Sequence, residues 1–460
     1  MMIKSCFLNV SVVVLSIAGC LSSCGGGGTG QKNEVTNDVN TPLHLLKPDY
    51  PVFYGETTPD DVKAVLDRIH GYLDDATPVA VINKGSKRPV DDLSSIDTNT
   101  IFQQGDFRLI SYEWGVTYGA MLTAAESTGD ERYRQYTQRR IDFIADVVAA
   151  FEALPETAGA AYRSPVHSVT HPGALDDAGS MCAAIIKAHQ AGATTKEVRP
   201  IVNRYIDYIL NKEFRLEDGT LARNRPLPNT LWLDDLYMSL PALAQMAKLT
   251  GETTYFDEAI RQFWLFADRM FVAEKGLYMH GWVQDMEPHP HFHWARANGW
   301  ALLTNVELLS ALPDNHPARA RLLDQFRAHV RGLAALQDGT GFWHQLLDRN
   351  DTYLETSATA IYAYCIAHGI NQGWLDAKAY GPMVLQAWNA VSTQVNAQGQ
   401  VEGTCVGTGM GFDPAFYYHR PVNKYAAHGY GPAILAGAEV YRLLRNKPFE
   451  INDSAVMFAD

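Results

Sequence analysis

The chain has 460 residues and carries 38 Lys and Arg against 51 Asp and Glu, a formal charge of −13. It is long enough to bury a large core, and with no basic cluster to track phosphates it is not a nucleic-acid binder. Its six cysteines, at 6, 20, 24, 182, 365 and 405, match neither a disulfide framework nor a zinc spacing, and Cys182 and Cys365 in apolar helical stretches read as buried thiols.

At the N-terminus, Lys4 precedes an uncharged apolar stretch from Cys6 to Ile17. This is too short for a permanent membrane helix and reads as a signal peptide. Ile17-Ala18-Gly19-Cys20 is similar to a bacterial lipobox, in which the cysteine is lipidated and becomes the first residue; Cys24, after Leu21-Ser22-Ser23, is the rival. Residues 1–19 are thus expected to be removed, and Gly-rich residues 20–48 to form a flexible tether. The prediction is an exported protein, lipid-anchored to a bacterial membrane at the periplasm or cell surface, with one catalytic domain over 49–460. An ordinary secretory signal with incidental cysteines is the alternative.

From residue 57 the periodicity is helical. Thr58-Pro59-Asp60-Asp61 is a helix start, followed by a stripe of Val62, Val65, Leu66, Ile69 and Leu73. Further helices are predicted over 131–153, 176–190, 197–211, 235–249, 254–270, 297–311, 316–335, 356–369, 376–393 and 430–445. Ser127-Thr128-Gly129-Asp130-Glu131-Arg132-Tyr133 is echoed by Leu249-Thr250-Gly251-Glu252-Thr253-Thr254-Tyr255. In each, Gly closes one helix and an acid opens the next, a mark of repeated helical hairpins. A solenoid would have short, alike loops. Here alternate loops (154–175, 213–231, 277–296) are long and individual, which favours an all-α, closed (α/α)6 barrel with a site at one mouth.

Six of nine tryptophans (Trp114, Trp232, Trp282, Trp294, Trp300 and Trp343) sit in clusters with acids, His or Arg, as suits stacking on sugar rings; Trp264 and Trp388 read as core. Asp234, in Asn229–Met238, lies two residues after Trp232. A carboxyl beside an indole is partly desolvated and suited to give up a proton, although paired acids opening a helix equally serve its dipole. Asp176 and Asp177 open another apolar helix and offer a second carboxylate. Arg296, in Trp294–Trp300, presents a planar fork for a carboxylate or sulfate. His289, His291 and His293 alternate, but their Pro-rich setting gives no metal geometry.

Trp-x-Asp-x-Leu-Tyr-Met (232–238), Trp-Ala-Arg-x-Asn-Gly-Trp (294–300), Gly-x-Trp-His-Gln (341–345), Glu-Thr-Ser-Ala (355–358) and His-Gly-x-Gly-Pro (428–432) follow in this order. Over about residues 57–446 the chain resembles the unsaturated rhamnogalacturonyl hydrolases of glycoside hydrolase family 105, with the unsaturated glucuronyl hydrolases of family 88 as cousins. Ala297 stands where that family usually has Gly. The resemblance implies an (α/α)6 barrel that removes a terminal 4,5-unsaturated uronic acid from lyase-generated oligosaccharides by hydrating the C4=C5 vinyl ether, with no metal or cofactor. It implies Asp234 as the acid that protonates C4, Asp177 as the second carboxylate with Asp176 as close rival, and Trp232, Trp294 and Trp300 around the ring. Arg296 and His280 would bond its polar groups, with Trp114 and His344 also at the substrate. Rhamnogalacturonan and ulvan both yield such a uronate linked to rhamnose, and a sulfate could call on Arg296, Arg420 and the 289–293 histidines. Open alternatives are an α/α-barrel lyase or epimerase using His280, His344 or His428 as base, and a non-catalytic glycan-binding lipoprotein.

Overall fold

A computed structural model describes residues 39–40, 57–154, 163–286, 288–451 and 456–459. Apart from residues 39 and 40, the expected signal peptide, lipidated Cys20 and tether lie outside these. The chain divides into Met1–Lys47 and Pro48–Asp460, and everything that follows concerns the second unit. Among the described residues no helix is long and apolar enough to cross a membrane.

The helices are α1 (Pro59–Ala76), α2 (Tyr112–Thr128), α3 (Glu131–Glu152), the single turn α4 (His167–Thr170), α5 (Leu175–Gln190), α6 (Arg199–Asp207), α7 (Leu240–Thr250), α8 (Thr254–Met270), α9 (Ala295–Ala311), α10 (Arg319–Ala334), α11 (Thr356–Asn371), α12 (Ala377–Thr393), the short α13 (Pro414–Tyr418) and α14 (Tyr430–Asn446). Helices α2, α5, α7, α9, α11 and α14 each pack on the next, and α14 returns to α2, closing a ring. Around it, α3, α6, α8, α10 and α12 pack on α2, α5, α7, α9 and α11, while α1 packs on α14. This is the expected (α/α)6 barrel.

Burial explains which helices the sequence displays. Outer helices bury one stripe, as with Ile201, Val202, Tyr205 and Ile206 of α6. Inner helices are enclosed on all sides: α11 is buried from Thr356 to Ile370 without a break. Inner α2 likewise buries residues all round, including Trp114, Val116, Thr117, Tyr118 and Met121. It therefore shows no stripe, which is why periodicity implied its end at Thr128 but not its span.

Local rules set the boundaries. Thr58 and Asp61 form a capping box, with backbone-to-side-chain bonds of 3.0 and 3.2 Å. Gly129 (φ 71°) and Gly251 (φ 79°) end α2 and α7 in the left-handed conformation, as the internal echo requires. The echo is incomplete afterwards: Asp130 caps α3, but Glu252 stands ahead of the Thr253 that opens α8. The helix expected over 235–249 is also divided. Leu233–Leu236 is a 3-10 turn and α7 begins only at Leu240, because Pro241 has no N–H to bond back into a preceding turn.

The barrel has two distinct mouths. One cavity of about 340 Å³ is lined by Tyr112, Asp176 and Asp234, which stand at the N-terminal ends of α2, α5 and the α7 segment. Another, of about 650 Å³, is lined by residues toward the C-terminal ends of the inner helices, among them Glu126, Lys187, Lys248, Ser310, His368 and Arg442. The second is filled with mutual pairs such as Lys187–Glu307 (2.5 Å) and His368–Glu439 (3.1 Å). The first brings two carboxyls, Asp176 and Asp234, onto one wall.

Candidate active site

The segment bearing Asp234 is held in place by a two-stranded antiparallel ribbon. Thr230–Trp232 pairs with Gly281–Val283, Trp232 opposite Gly281, and the Leu233 N–H donates to the His280 carbonyl at 2.9 Å. The ribbon therefore delivers His280 to the side of Asp234. Its Nε2 lies 3.1 Å from Asp234 Oδ2 and its Nδ1 lies 2.7 Å from the Tyr417 hydroxyl, whose oxygen accepts the Gly411 N–H at 3.1 Å. The Asp234 side chain is 14% exposed, enough to meet a ligand. His280 is buried with both ring nitrogens engaged. The sequence expectation was that it bonds polar groups of the sugar; with both nitrogens occupied it instead positions Asp234.

The second carboxylate belongs to a separate cluster. Arg223 donates to Asp176 through Nη1 and Nη2 at 2.9 and 3.1 Å, and to both oxygens of the fully buried Asp235. Burial opposes the charge on Arg223, but Asp235 and Asp176 outweigh it and raise the guanidinium pKa. Burial likewise pushes the Asp235 carboxyl up, with Arg223 pulling against it. Removing one partner of such a pair typically costs about 3–5 kcal/mol, because the other charge is left buried alone. The four acids thus divide their work. Asp235 serves the fold, while Asp176, 30% exposed and held by Arg223 and Arg225, lines the cavity with Asp234. Asp177, favoured from sequence, does not line that cavity. Its Oδ2 accepts the Gly173 N–H at 2.9 Å and ties down the loop before α5. Neighbouring residues of a helix start point about 100° apart, so only one of the two faces the mouth.

The remaining wall consists of Tyr112, Arg225, Trp232, Met238 and Gly407–Gly409. Burial first, then the Glu113 charge, raises the Tyr112 hydroxyl pKa far above its ordinary value. Burial and the Arg296 charge push His428 well below its ordinary value. The Tyr112 hydroxyl and the neutral His428 Nε2 share a hydrogen bond of 2.6 Å, its donor set by the imidazole tautomer. Arg296 is fully buried: Nη1 donates to Cys405 O and Nη2 to Val406 O, each at 2.8 Å. It anchors the loop leading into Gly407–Gly409 and acts on the mouth through its field, where a substrate-clasping fork was expected.

Comparison with known proteins gives the family. Residues 90–444 match the Glycosyl Hydrolase Family 88 model. The chain belongs to that family. An unsaturated rhamnogalacturonyl hydrolase, YesR, of Bacillus subtilis is 29% identical over 242 residues, 51% of this chain and 68% of that protein. An unsaturated 3S-rhamnoglycuronyl hydrolase of an Alteromonas species is 31% identical over 176 residues, 37% of this chain but only 42% of that protein. Among solved structures, a possible GH105 member from Salmonella enterica superposes with a TM-score of 0.67 at 24% identity, covering 89% of this chain and 99% of that one. The unsaturated glucuronyl hydrolase of Bacillus sp. GL1 gives 0.55 at 16%, covering 82% and 96%; both likenesses show the fold.

Within this family 88 chain, several expected sugar contacts turn out to be interior. Trp114, Trp294, Trp300 and Trp343 are fully buried. Trp114 stacks on Phe107 (4.7 Å) and donates to Tyr136, Trp300 stacks on Tyr237 (5.1 Å), and Trp294 supports His280 (4.6 Å) while donating to Gln345. Only Trp232 reaches the cavity, pinned by its Nε1–H to Arg225 O at 3.1 Å. Trp282 stacks on His289 and lines a neighbouring cavity with Arg269. His344 is engaged with Thr352 O and Asp338, outside the site. His293 bonds Tyr278 O, so the alternating histidines go separate ways; among the described residues no group of His, Cys, Asp or Glu is arranged to hold a metal. The sequence reading missed Tyr112, Arg223 and Arg225. Two arginines flanking Asn224 in a long loop ahead of Asp234 were the available signal.

Proposed function

We propose that this family 88 enzyme removes the terminal 4,5-unsaturated uronic acid from lyase-generated oligosaccharides in which that uronate is linked to rhamnose. The observation that carries the reading is the pair Asp234 and Asp176 on one cavity, each held by a different partner, His280 for the first and Arg223 for the second. Two carboxyls on one cavity can divide the acid and base roles between them. Asp234 gives its proton to C4 as the C4=C5 electron pair forms the new C–H bond. Positive charge develops at C5 and is shared with the ring oxygen. Water adds at C5 and loses its proton to a carboxylate, Asp234 or Asp176. The hemiketal so formed opens by cleavage of the C5–O5 bond, and the aglycone leaves from the freed anomeric carbon. Because the reaction begins away from that carbon, the spacing rule for ordinary glycosidases does not apply.

Several features support an anionic sugar. The cavity sits at the N-terminal ends of inner helices, where the dipoles are positive, with the Arg296 field behind it and Arg225, 59% exposed, at its edge. Trp232 offers a ring face. Its volume of about 340 Å³ falls in the range of small-molecule sites. The relatives named above act on rhamnogalacturonyl and 3S-rhamnoglycuronyl substrates, which supports rhamnose as the next sugar. Cations suggested for sulfate are otherwise engaged: Arg420 bonds Thr408 and Gly407 O, and Arg296 is buried. Incubation with lyase-generated unsaturated disaccharide is expected to abolish the ultraviolet absorbance of the C4=C5 bond. A rise in absorbance would instead mark a lyase, and unchanged absorbance with tight binding a binding module.

We also propose a site of action from the N-terminal segment. The Ala18-Gly19-Cys20 run supports lipidation at Cys20 and a place on a bacterial membrane outside the cytoplasm. Expression of Cys20→Ser in a bacterial host should move the protein from the membrane fraction to the soluble one; retention in the membrane fraction would refute anchoring at this cysteine.

A further inference from the structure

The cavity of about 650 Å³ at the other mouth of the barrel is built by all six inner helices, which contribute Gly119, Lys187, Gln245, Glu307, Tyr364 and Glu439 in turn. Inner helices of 16 and 17 residues set it about 25 Å from the catalytic mouth, so it is no part of that site. The charges on its wall answer one another. Glu307 pairs with Lys187 (2.5 Å), Glu439 with His368 (3.1 Å) and Arg442 (2.8 Å), Glu126 with Arg442 (3.4 Å) and Glu131 with Arg134 (2.6 Å). Lys248 stands in the last turn of α7, where the negative end of the helix dipole offsets it. Two neutral side chains are left over. Gln245 is 5% exposed and Tyr364 6%, yet the Gln245 amide and the Tyr364 hydroxyl have no hydrogen-bond partner among the described residues. Neither is sealed in, since both open on the cavity.

We propose that this mouth binds an uncharged monosaccharide, whose hydroxyls pair with the Gln245 amide and the Tyr364 hydroxyl. Polar groups buried this deeply nearly always have partners, because leaving them unpaired is costly. An amide and a phenol each donate and accept, as a sugar hydroxyl does. The paired wall leaves no free counter-charge to select a cation or an anion. Leu122 and Gly119 of α2 give apolar surface for ring C–H groups, and a Cβ at Gly119 would meet nothing within 4 Å, so there is room beside it. The volume falls in the range of small-molecule sites.

Calorimetric titration of the full chain with L-rhamnose and with D-glucose tests this. At least one is expected to bind the parent protein. Gln245→Met and Tyr364→Phe remove the polar groups with little change of shape, and Gly119→Leu fills the space; each should weaken that binding about tenfold. Trp232→Ala, at the catalytic mouth, should leave it within twofold. The three substitutions lie on three different helices, and thermal melts identify the folded variants on which the comparison is made. If neither sugar binds the parent protein, solvent alone satisfies these groups and the site is overturned. Unchanged affinity in every folded variant, or loss in Trp232→Ala alone, would overturn it equally. Tighter binding of D-glucuronate or putrescine than of either neutral sugar would overturn the ligand class. None of these outcomes depends on hydrolysis at the other mouth.

Discussion

Asp234→Asn is expected to lower kcat on an unsaturated uronate disaccharide by about 10³-fold, within the span of positioned acid catalysis. Its effect on KM and on thermal unfolding should be small. The amide is the same size, keeps a polar contact with His280, and sits at a partly exposed position. What it lacks is a proton of the right acidity for C4. Loss of kcat with KM retained is the signature of an interaction made only in the transition state. Continuous absorbance assays across substrate concentrations give both parameters. Retention of more than a tenth of parental kcat would remove Asp234 from the chemistry and turn attention to Tyr112, the other polar donor on that wall.

Asp176→Asn and Asp177→Asn should behave oppositely, although they are adjacent and alike in sequence. Asp176 faces the cavity and is clasped by Arg223; its amide loses the negative charge that can take up the proton of the attacking water and help stabilise charge at C5, and a loss of kcat/KM of about 10²-fold is expected. Asp177 accepts the Gly173 N–H, and its amide should keep activity within severalfold while lowering stability by a fraction of the usual scale of such capping bonds, about 0.5–2 kcal/mol. Parallel kinetics and thermal melts separate the two. Greater loss of turnover in Asp177→Asn than in Asp176→Asn would reverse the assignment.

Arg223 explains why those neighbours could not be told apart from sequence. It lies 47 residues from Asp176 and 12 from Asp235, and only the closure of the ring brings one guanidinium between them. The same closure decides which indoles meet a ligand. Trp232 and Trp294 both precede polar motifs, yet one rims the cavity and the other lies beneath His280. A tryptophan in a polar cluster shows only that an aromatic ring meets polar groups. Whether it faces a ligand or packs under a catalytic residue depends on depth within the barrel. Arg296 shows the same limit: its motif was legible, but its Nη1 and Nη2 are turned to Cys405 O and Val406 O, 109 and 110 residues further on.

The sequence by itself determined the local features of this protein. Thr58 with Asp61 opens α1, Gly129 and Gly251 close α2 and α7, and outer helices such as α6 show the stripe of a half-buried element. The ordered motifs were enough to place the chain in its fold and to single out Asp234 from Asp235. These follow from interactions within one or two turns, which short windows contain. Only the tertiary structure decided that Asp176 shares the cavity, that His280 bridges Asp234 and Tyr417, and that Arg223 joins two carboxylates. Those facts rest on contacts between residues tens to more than a hundred positions apart, and the direction of each side chain is fixed by the six-helix ring rather than by its neighbours in the chain.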